Sequence, residues 1–327
     1  MLKKSTIAIA FAAALMLSSC SWVEDDLSGC PDCNGTLSVK IEHKYNMLNI
    51  DAASARVESA DVFACNKATG LSRRKSFTRQ QLDKTGYYAD MAMEGGGSYD
   101  ILVWSGISDA IFNAETRSVD LGTQPGDTID VRLPVLFHGA ACGVEVEEGS
   151  DNVATVDLVQ DTKQLNVTVN YSGSREFHHD DFCLVLTAPN SVLDADNQTA
   201  AAHSTAYKPY SSRVESIERQ QVANYSLSTL RLMEKDRDRC RLALYYQTPD
   251  GSTRQQLFDI PLIDYLLMCK TFEGEGMTSQ EYLDRQNFYH IVFLLQDTDT
   301  PREPFAISIL SVNNWQLRTD DATIIVK

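Results

Sequence analysis

The sequence predicts an all-β fold built as two tandem β-sandwiches. Apolar and polar residues alternate in many short runs, which is the pattern of strands with one buried face. Turn-forming residues recur roughly every ten to fifteen positions, and no long stretch shows helical periodicity. The hydrophobic content of 43% is ordinary for a folded chain. Together these observations favour strands joined by turns over alternating βαβ units.

The N-terminal segment has the parts of a bacterial secretion signal. Two lysines precede a short apolar run from Ile7 to Met16, well below the roughly 20 apolar residues that span a bilayer. Small residues then lead to Cys20, a pattern similar to the lipobox of bacterial lipoproteins. We therefore expect a signal peptide over 1–19, cleavage between Ser19 and Cys20, and S-diacylglyceryl and N-acyl groups on Cys20. An ordinary cleaved signal, which leaves Cys20 as a free thiol, is the alternative.

A tether is predicted over 20–35, because the residues that follow Cys20 are polar, acidic and aperiodic. An acidic stretch at this place also resembles the surface-export signal of lipoproteins in the Bacteroidetes group. Cys30 and Cys33 form a Cys-x-x-Cys pair inside the tether. A redox or zinc site would need a βαβ context or a second pair, so a local disulfide or two free thiols is favoured.

Strand patterns then fill a first domain, predicted over 36–153. A glycine run at Gly95–Gly97 marks a turn within it, and the polar break Glu147–Asn152 marks its end. The predicted strands are Thr36–Glu42, Val57–Cys65, Tyr87–Met91, Tyr99–Trp104, Ser118–Leu121, Thr128–Leu133, Val135–Gly139 and Gly143–Val146.

A second domain is predicted over 154–327, with a surface loop at Asp194–Ser212. Its exception to the strand pattern is Pro261–Asn287, where helical spacing after the proline and cap residues from Thr278 predict two short helices. The predicted strands are Ala154–Val159, Gln164–Tyr171, Phe182–Leu186, Leu227–Met233, Arg241–Gln247, Gln255–Ile260, Phe288–Leu295, Phe305–Val312 and Thr323–Val326.

Charge and cysteine content limit the function classes. The net charge of −16 becomes −18 without the two lysines of the signal, so the chain should be repelled by nucleic acid. Of eight cysteines, seven remain beside the lipidated one. Cys65, Cys142, Cys183 and Cys269 lie in or beside apolar runs and are expected to be small core residues.

No sequence pattern predicts catalysis, a metal or a cofactor. His178 and His179 are not expected to bind one metal ion, because neighbouring residues of a strand face opposite ways. The segment His178–Asp181 is instead expected to be a solvated turn. Asp297, Asp299 and Glu303 lack the regular spacing of a calcium loop, and the mixed charges of Glu234–Arg239 favour an exposed loop. The chain has no Gly-x-Ser-x-Gly, P-loop or His-Glu-x-x-His motif. We therefore expect a protein that is not an enzyme.

A family resemblance rests on the order of seven segments along the chain. They are Asp25–Pro31, Tyr45–Met47, Gly97–Trp104, Leu136–Gly139, Val156–Lys163, Gln280–Arg285 and Val312–Trp315. In this order they resemble the fimbrial anchor lipoproteins, or minor fimbrium anchoring subunits, of Bacteroides and Porphyromonas relatives. The Cys-x-x-Cys spacing that Cys33 forms with Cys30 is not expected as a feature of this family.

The resemblance implies two transthyretin-like β-sandwich domains in an outer-membrane lipoprotein. It also implies a role at the base of a fimbrium, where the anchor binds the shaft subunit (fimbrillin) and limits shaft length. Such a contact could use strand addition, and the β-branched Thr323, Ile324, Ile325 and Val326 could be a donated strand. The alternatives are an ordinary last strand and, for function, a surface lipoprotein that binds glycan or another extracellular ligand.

Overall fold

The computed structural model describes residues 34–175, 178–217, 220–252, 254–313 and 315–316. Strands dominate these residues and every helix is short, which confirms the all-β prediction. The elements of the first part are β1 (Asn34–Glu42), α1 (Ala53–Arg56), β2 (Ser59–Asn66), β3 (Ser72–Thr78), α2 (Arg79–Thr85), β4 (Tyr88–Glu94), β5 (Gly97–Ser105), β6 (Phe112–Asn113), β7 (Ser118–Asp120), β8 (Thr128–Ile129), β9 (Phe137–Val146), β10 (Asp151–Asp157) and β11 (Val159–Gln160).

The second part contains the remaining strands and the other three α-helices of the described residues. Its elements are β12 (Lys163–Ser172), β13 (Phe182–Ala188), β14 (Val192–Leu193), β15 (Thr205–Tyr207), β16 (Ser211–Ile217), β17 (Gln220–Thr229), β18 (Arg241–Gln247), β19 (Arg254–Pro261), α3 (Leu262–Met268), α4 (Lys270–Glu273), α5 (Ser279–Arg285), β20 (Phe288–Asp297), β21 (Phe305–Val312) and β22 (Trp315–Gln316).

Two pairs of sheets enclose two hydrophobic cores. The sheets β10-β1-β4 and β11-β9-β5-β2-β3 share the first core, to which β1 contributes the alternating residues Leu37, Val39 and Ile41. The sheets β16-β17-β12-β20-β21-β22 and β19-β18-β13-β15-β8 share the second core. A small sheet, β14-β7-β6, joins strands of both parts. The fully buried Trp104 belongs to the second core although it lies on β5.

The strand pairing near the predicted boundary at 153/154 is informative. β10 crosses this position and pairs in parallel with β1 over its whole length, and β11 pairs with β9. The chain therefore passes from the first group of sheets to the second at 161–162, between β11 and β12. The division at 153/154 stays a prediction of domain organisation that has to accommodate this pairing.

Two short helices were predicted in the second part, where the structure has three, α3, α4 and α5. The two helices of the first part were missed. Helix α2 begins with a capping box, in which the Thr78 side chain accepts from the Gln81 amide and the Gln81 side chain accepts from the Thr78 amide. It ends at Gly86 in the left-handed conformation that favours glycine. The strand before it, β3, was also missed, because Phe77 is its only buried residue.

The predictions for three of the cysteines and for one surface loop were wrong in detail. Cys142 and Cys183 are exposed and Cys65 is half-buried, because the period of two places them on outward faces of their strands. Cys269, by contrast, is buried as expected. The predicted surface loop 194–212 contains β15 and the buried Asn197.

Candidate functional site

Four separate segments meet where the two groups of sheets adjoin. We call the polar side chains at this place the junction cluster: Asp161, Lys163, Asn197, Arg231 and Asp284. All five are buried. Asp161 and Lys163 lie on the passage from β11 to β12, Asn197 follows β14, Arg231 follows β17, and Asp284 lies on α5. Burial of so many charged groups is tolerated only when they are paired and hydrogen-bonded.

The strongest contact of the junction cluster is a two-bonded ion pair. Arg231 Nε lies 2.7 Å from Asp284 Oδ1, and Arg231 Nη2 lies 2.7 Å from Asp284 Oδ2. Arg231 Nη1 also donates to the carbonyl oxygen of Asn197. Gln280, one turn earlier on α5, donates to Asp284 Oδ1 at 3.0 Å. The planar guanidinium matches the carboxylate in this geometry, which fixes α5 against the end of β17.

Lys163 connects the start of β12 to the end of α5. Its Nζ donates to the carbonyl oxygen of Asp284 and to Asn287 Oδ1, each at 2.8 Å. The side chain is fully buried, and burial lowers the pKa of its ammonium group. A lysine in this position is held by neutral oxygens as well as by the nearby carboxylates.

Asp161 and Asn197 each have one side-chain oxygen without a hydrogen-bond partner within the described residues. Asp161 Oδ1 accepts from Asn197 Nδ2 at 2.9 Å, and Asp161 Oδ2 has no hydrogen-bond partner in the described part of the chain. Burial raises the pKa of this carboxyl from 3.8 to about 7. The fold therefore keeps Asp161 protonated to a higher pH than an ordinary aspartate.

His138, on β9 of the first sandwich, forms a contact with the second part of the chain near this cluster. Its ring packs edge-to-face on Trp104 with 4.6 Å between centroids, and its Nε2 donates to the carbonyl oxygen of Ala195 at 3.0 Å. Burial lowers the pKa of His138 to about 4. The neighbouring Gly139 is required by close packing, since a Cβ there would lie 2.6 Å from a methyl group of Val156.

Arg285 fastens the loop after β1 to helix α5. Its guanidinium carbon lies 4.2 Å from the centroid of the Tyr45 ring, a cation–π contact. Its Nη1 donates to the carbonyl oxygen of Asn46 at 2.9 Å and to Asn49 Oδ1 at 2.7 Å, and its Nε pairs with Glu281 at 2.8 Å. The loop is thus held rigidly beside the junction cluster.

This loop and the start of β20 enclose an apolar groove of about 310 Å³, which we call the junction groove. Its lining includes Leu48, Ile50 and Phe288, whose exposed fractions are 77%, 64% and 51%, together with Met47 and Arg56. Large apolar side chains exposed in one place mark an interaction surface more often than isolated ones do. The groove is therefore the candidate docking site of the molecule.

Comparison with known proteins now decides the family. The family model of fimbrillin-A associated anchor proteins Mfa1 and Mfa2 matches residues 27–321. The chain belongs to this anchor-protein family. The match confirms the resemblance drawn from the order of the sequence segments. No curated protein sequence matches the chain.

Solved structures share the fold of this family member. A candidate adhesin from Bacteroides thetaiotaomicron is 22% identical, with a TM-score of 0.70, and the match covers 88% of this chain and 98% of that one. A candidate polysaccharide-binding protein from the same organism is 27% identical, with a TM-score of 0.69 and coverage of 87% and 99%. The fimbrial anchor protein Mfa2 from Porphyromonas gingivalis is 19% identical, with a TM-score of 0.65 and coverage of 88% and 99%.

Four of the segments that carried the resemblance to the anchor family converge at the junction. Tyr45–Met47, Leu136–Gly139, Val156–Lys163 and Gln280–Arg285 supply Tyr45, His138, Lys163 and Asp284 to the contacts described above. Asn197 and Arg231 were missed, because nothing in their own neighbourhoods distinguishes them from exposed polar residues.

The site residues predicted for this anchor-family chain from its termini lie outside the described residues. These are Ser19 and Cys20 of the cleavage and lipidation site and Thr323, Ile324, Ile325 and Val326 of the possible donated strand. Cys30 and Cys33 also lie outside them. Among the described residues, no helix has the length and apolar character needed to cross a bilayer.

The charged segments that resemble sites have structural contacts in the described part of the chain. Asp297 accepts from the Tyr171 hydroxyl at 2.7 Å and from the Ser174 amide at 2.7 Å. Asp236, predicted to lie in an exposed loop, is instead buried and accepts from Thr199 at 2.7 Å. No group of three or more His, Cys, Asp or Glu side chains in the described ranges could hold a metal ion.

Proposed function

We propose that this protein is an outer-membrane lipoprotein that anchors a fimbrium shaft to the cell surface and limits its length. The observation that carries the proposal is the family match over 27–321, supported by the shared fold of the Porphyromonas gingivalis fimbrial anchor. The partner is the shaft subunit, a fimbrillin. An anchor that occupies the base of the shaft leaves no free end there for further subunits.

Lipid at Cys20 is the proposed attachment to the membrane. Each buried methylene contributes about 0.8 kcal/mol, so two or more acyl chains hold a protein stably where one does not. The acidic tether then leads to Asn34 at the start of β1. The junction groove lies at the other end of β1, roughly 27 Å away at about 3.3 Å per residue. The groove therefore lies at the end of β1 opposite to the one that follows the tether, where it can meet a partner.

The lipid can be tested on the protein isolated from membranes. Mass spectrometry of the N-terminal peptide is expected to show a mature end at Cys20 that bears a diacylglyceryl group and an N-acyl group. A mature end without fatty acid contradicts this part of the proposal.

The role at the base of the fimbrium can be tested by gene deletion followed by electron microscopy. Cells without the protein are expected to shed long fimbriae into the medium, and restoring the gene is expected to return them to the cell surface. Unchanged cell-bound fimbriae after deletion would reject the anchor function.

The contact with the shaft could use a donated C-terminal strand. β22 pairs antiparallel with β21, with Gln316 opposite Ser311. In our proposal Thr323, Ile324, Ile325 and Val326, which follow β22 in the sequence, pair with a shaft subunit through backbone hydrogen bonds.

Removal of 323–327 tests this contact. The truncated protein is expected to release shafts while its thermal unfolding midpoint stays unchanged, whereas Lys327→Ala keeps both properties. Loss of the fold on truncation would instead show that these residues are an ordinary last strand.

A second candidate function is binding of glycan or another extracellular ligand. The observation that favours it is the 27% identical structure described as a candidate polysaccharide-binding protein. Calorimetric titration with extracellular polysaccharides distinguishes glycan binding from shaft anchoring. Saturable binding that is lost in Phe288→Ala, with shafts still cell-bound after gene deletion, would favour glycan binding over anchoring.

A further inference from the structure

The open edges of the sheets differ in how their backbone groups are covered. β3 and β4 end neighbouring sheets of the first sandwich, and side chains from β3 reach across to β4. Arg73 Nη1 donates to the carbonyl oxygen of Ala92 at 2.9 Å, and Lys75 Nζ donates to that of Asp90 at 2.6 Å. Because these carbonyls are already bonded, this side of the molecule is blocked to an added strand.

A similar closure exists between β19 and β21 in the second sandwich. Gln255 Nε2 donates to the carbonyl oxygen of Phe305 at 2.8 Å, and Gln255 Oε1 accepts from the Phe305 amide at 3.3 Å. One amide side chain thus replaces the strand partner that the end of β21 lacks on this side. An added strand would have to displace it.

Among the residues that the structure describes, no side chain covers the edge formed by β16 in this way. Within the described residues β16 pairs only with β17, through the register that places Ser211 opposite Ser226. Ser211, Ser212 and Arg213 are exposed. The edge contains no proline, so its outward backbone groups can all take part in a ladder. Such an edge is a template for pairing with another chain.

The charges on β16 complement themselves. Arg213 and Glu215 lie two residues apart and therefore share one face of the strand, with 3.0 Å between Arg213 Nε and Glu215 Oε1. Val214, between them, points the other way and packs against the second core. A strand with one cation and one anion at this spacing can meet an antiparallel copy of itself with opposite charges facing.

We propose that β16 is the contact of a homodimer, in which a second copy of this chain adds its own β16 antiparallel to the first. The twofold axis is perpendicular to the sheet and passes between the two Val214 residues. Arg213 of each copy then stands opposite Glu215 of the other. The two six-stranded sheets become one continuous sheet across the interface, a symmetric contact in which both copies use the same patch.

The pattern of charges selects this register over its neighbours. Twofold symmetry requires some residue to face its own copy, because side chains opposite each other must lie on the same side of the sheet. An axis at Arg213 would place two arginines face to face, and an axis at Glu215 would place two glutamates face to face. Only the axis at Val214 converts both repulsions into attractions.

Charge reversal tests the dimer without changing the backbone. The dimer dissociation constant of the full chain can be measured by sedimentation equilibrium in detergent of matched density. Arg213→Glu alone and Glu215→Arg alone each create two like-charge pairs, and we expect each to weaken the dimer about tenfold or more. The double variant with both changes restores opposite charges and should return the constant to within about threefold of the original.

The charge-reversal variants also distinguish a β16 dimer from two simpler explanations. If the charges merely protect the edge, the unaltered chain stays monomeric at about 100 μM and the proposal is overturned. If dimers form elsewhere, the single reversals leave the constant unchanged, which also overturns it. Thermal unfolding of each variant checks the fold, and a double variant that stays as weak as the singles contradicts the register.

Discussion

An arginine and a carboxylate form ion pairs both in the buried junction and on the surface of the molecule, in opposite surroundings. Arg231 and Asp284 are buried and bonded by two atoms each, whereas the pair on β16 and the pair between Arg79 and Asp83 on α2 are partly in water. Water screens an exposed pair, so it contributes about 0–1 kcal/mol. A buried pair has lost its water, so each partner depends on the other. The difference shows which charges hold the molecule together and which remain available to partners.

Breaking the buried pair should have the largest effect on stability. Asp284→Ala leaves the guanidinium of Arg231 buried without its carboxylate, and we expect it to lower the free energy of unfolding by about 3–5 kcal/mol. The matched control is Asp83→Ala on α2. Asp83 Oδ1 lies 3.1 Å from Arg79 Nε in an exposed ion pair, which should contribute no more than about 0.5 kcal/mol. Urea unfolding measures both. Equal losses would remove the distinction between the two regions.

Removal of the buried ammonium should have an intermediate effect. Lys163→Met keeps most of the side-chain volume but leaves the carbonyl oxygen of Asp284 and Asn287 Oδ1 without their donor. We expect a loss of about 1–3 kcal/mol in the free energy of unfolding, the usual effect of a buried acceptor left unbonded. A variant as stable as the original chain would show that Lys163 gains nothing from these bonds.

Asp161 should make stability depend on pH. The pKa of Asp161 is raised from 3.8 to about 7 in the fold. Its contribution to the free energy of unfolding is therefore fully present below about pH 3.8 and is lost as the pH rises through about 7. Asp161→Asn removes this dependence and can still accept from Asn197. The free energy of unfolding of the variant, minus that of the original chain, should therefore increase between pH 5 and 7, by up to about 1.4 kcal/mol per pH unit.

His138 supplies an internal check, since the shift of its pKa has the opposite sign. Its pKa is lowered to about 4, so its contribution is lost as pH falls through the range from 6.5 to about 4. The two groups oppose each other in the original chain, and only the difference between the variant and the original isolates Asp161. A difference that stays constant with pH contradicts the buried, protonated carboxyl.

Changes in the junction groove should have the smallest effect on stability and a clear effect on binding. Leu48→Ser alters a side chain that is 77% exposed, so the free energy of unfolding should change by less than about 0.5 kcal/mol. If the groove binds a shaft subunit, the cell-bound fraction of fimbriae falls. Leu71→Ser, at a residue that is 69% exposed and lies away from the groove, is the matched control. Equal retention of fimbriae in both variants would remove the groove from the contact.

The sequence predicted those elements whose pattern is local. Leu165, Val167, Val169 and Tyr171 alternate along β12, and the structure buries all four. Pro261 and Thr278 precede the helices α3 and α5 as their cap residues indicated. β3 was missed because it is held in place by its backbone pairing with β2 and not by a hydrophobic face.

The junction cluster could be predicted only in part, because its members are distant in the sequence. Asp161 and Lys163 form their contacts with Asn197 and Asp284, which are brought close by the pairing of β12 with β20 and by the position of α5. Each of these residues alone has the sequence surroundings of an exposed polar group. The only signal was indirect, since two of the four converging family segments contain Lys163 and Asp284.

The most direct test of the anchor function is the fraction of fimbrillin that stays with the cells when Cys20 is replaced by serine. Immunoblots of cells and medium measure this fraction in strains that carry the original chain or Cys20→Ser at equal levels. The account predicts that fimbrillin moves from the cells to the medium in the variant. Fimbrillin that stays cell-bound in both strains would contradict a lipid-held anchor at the base of the shaft.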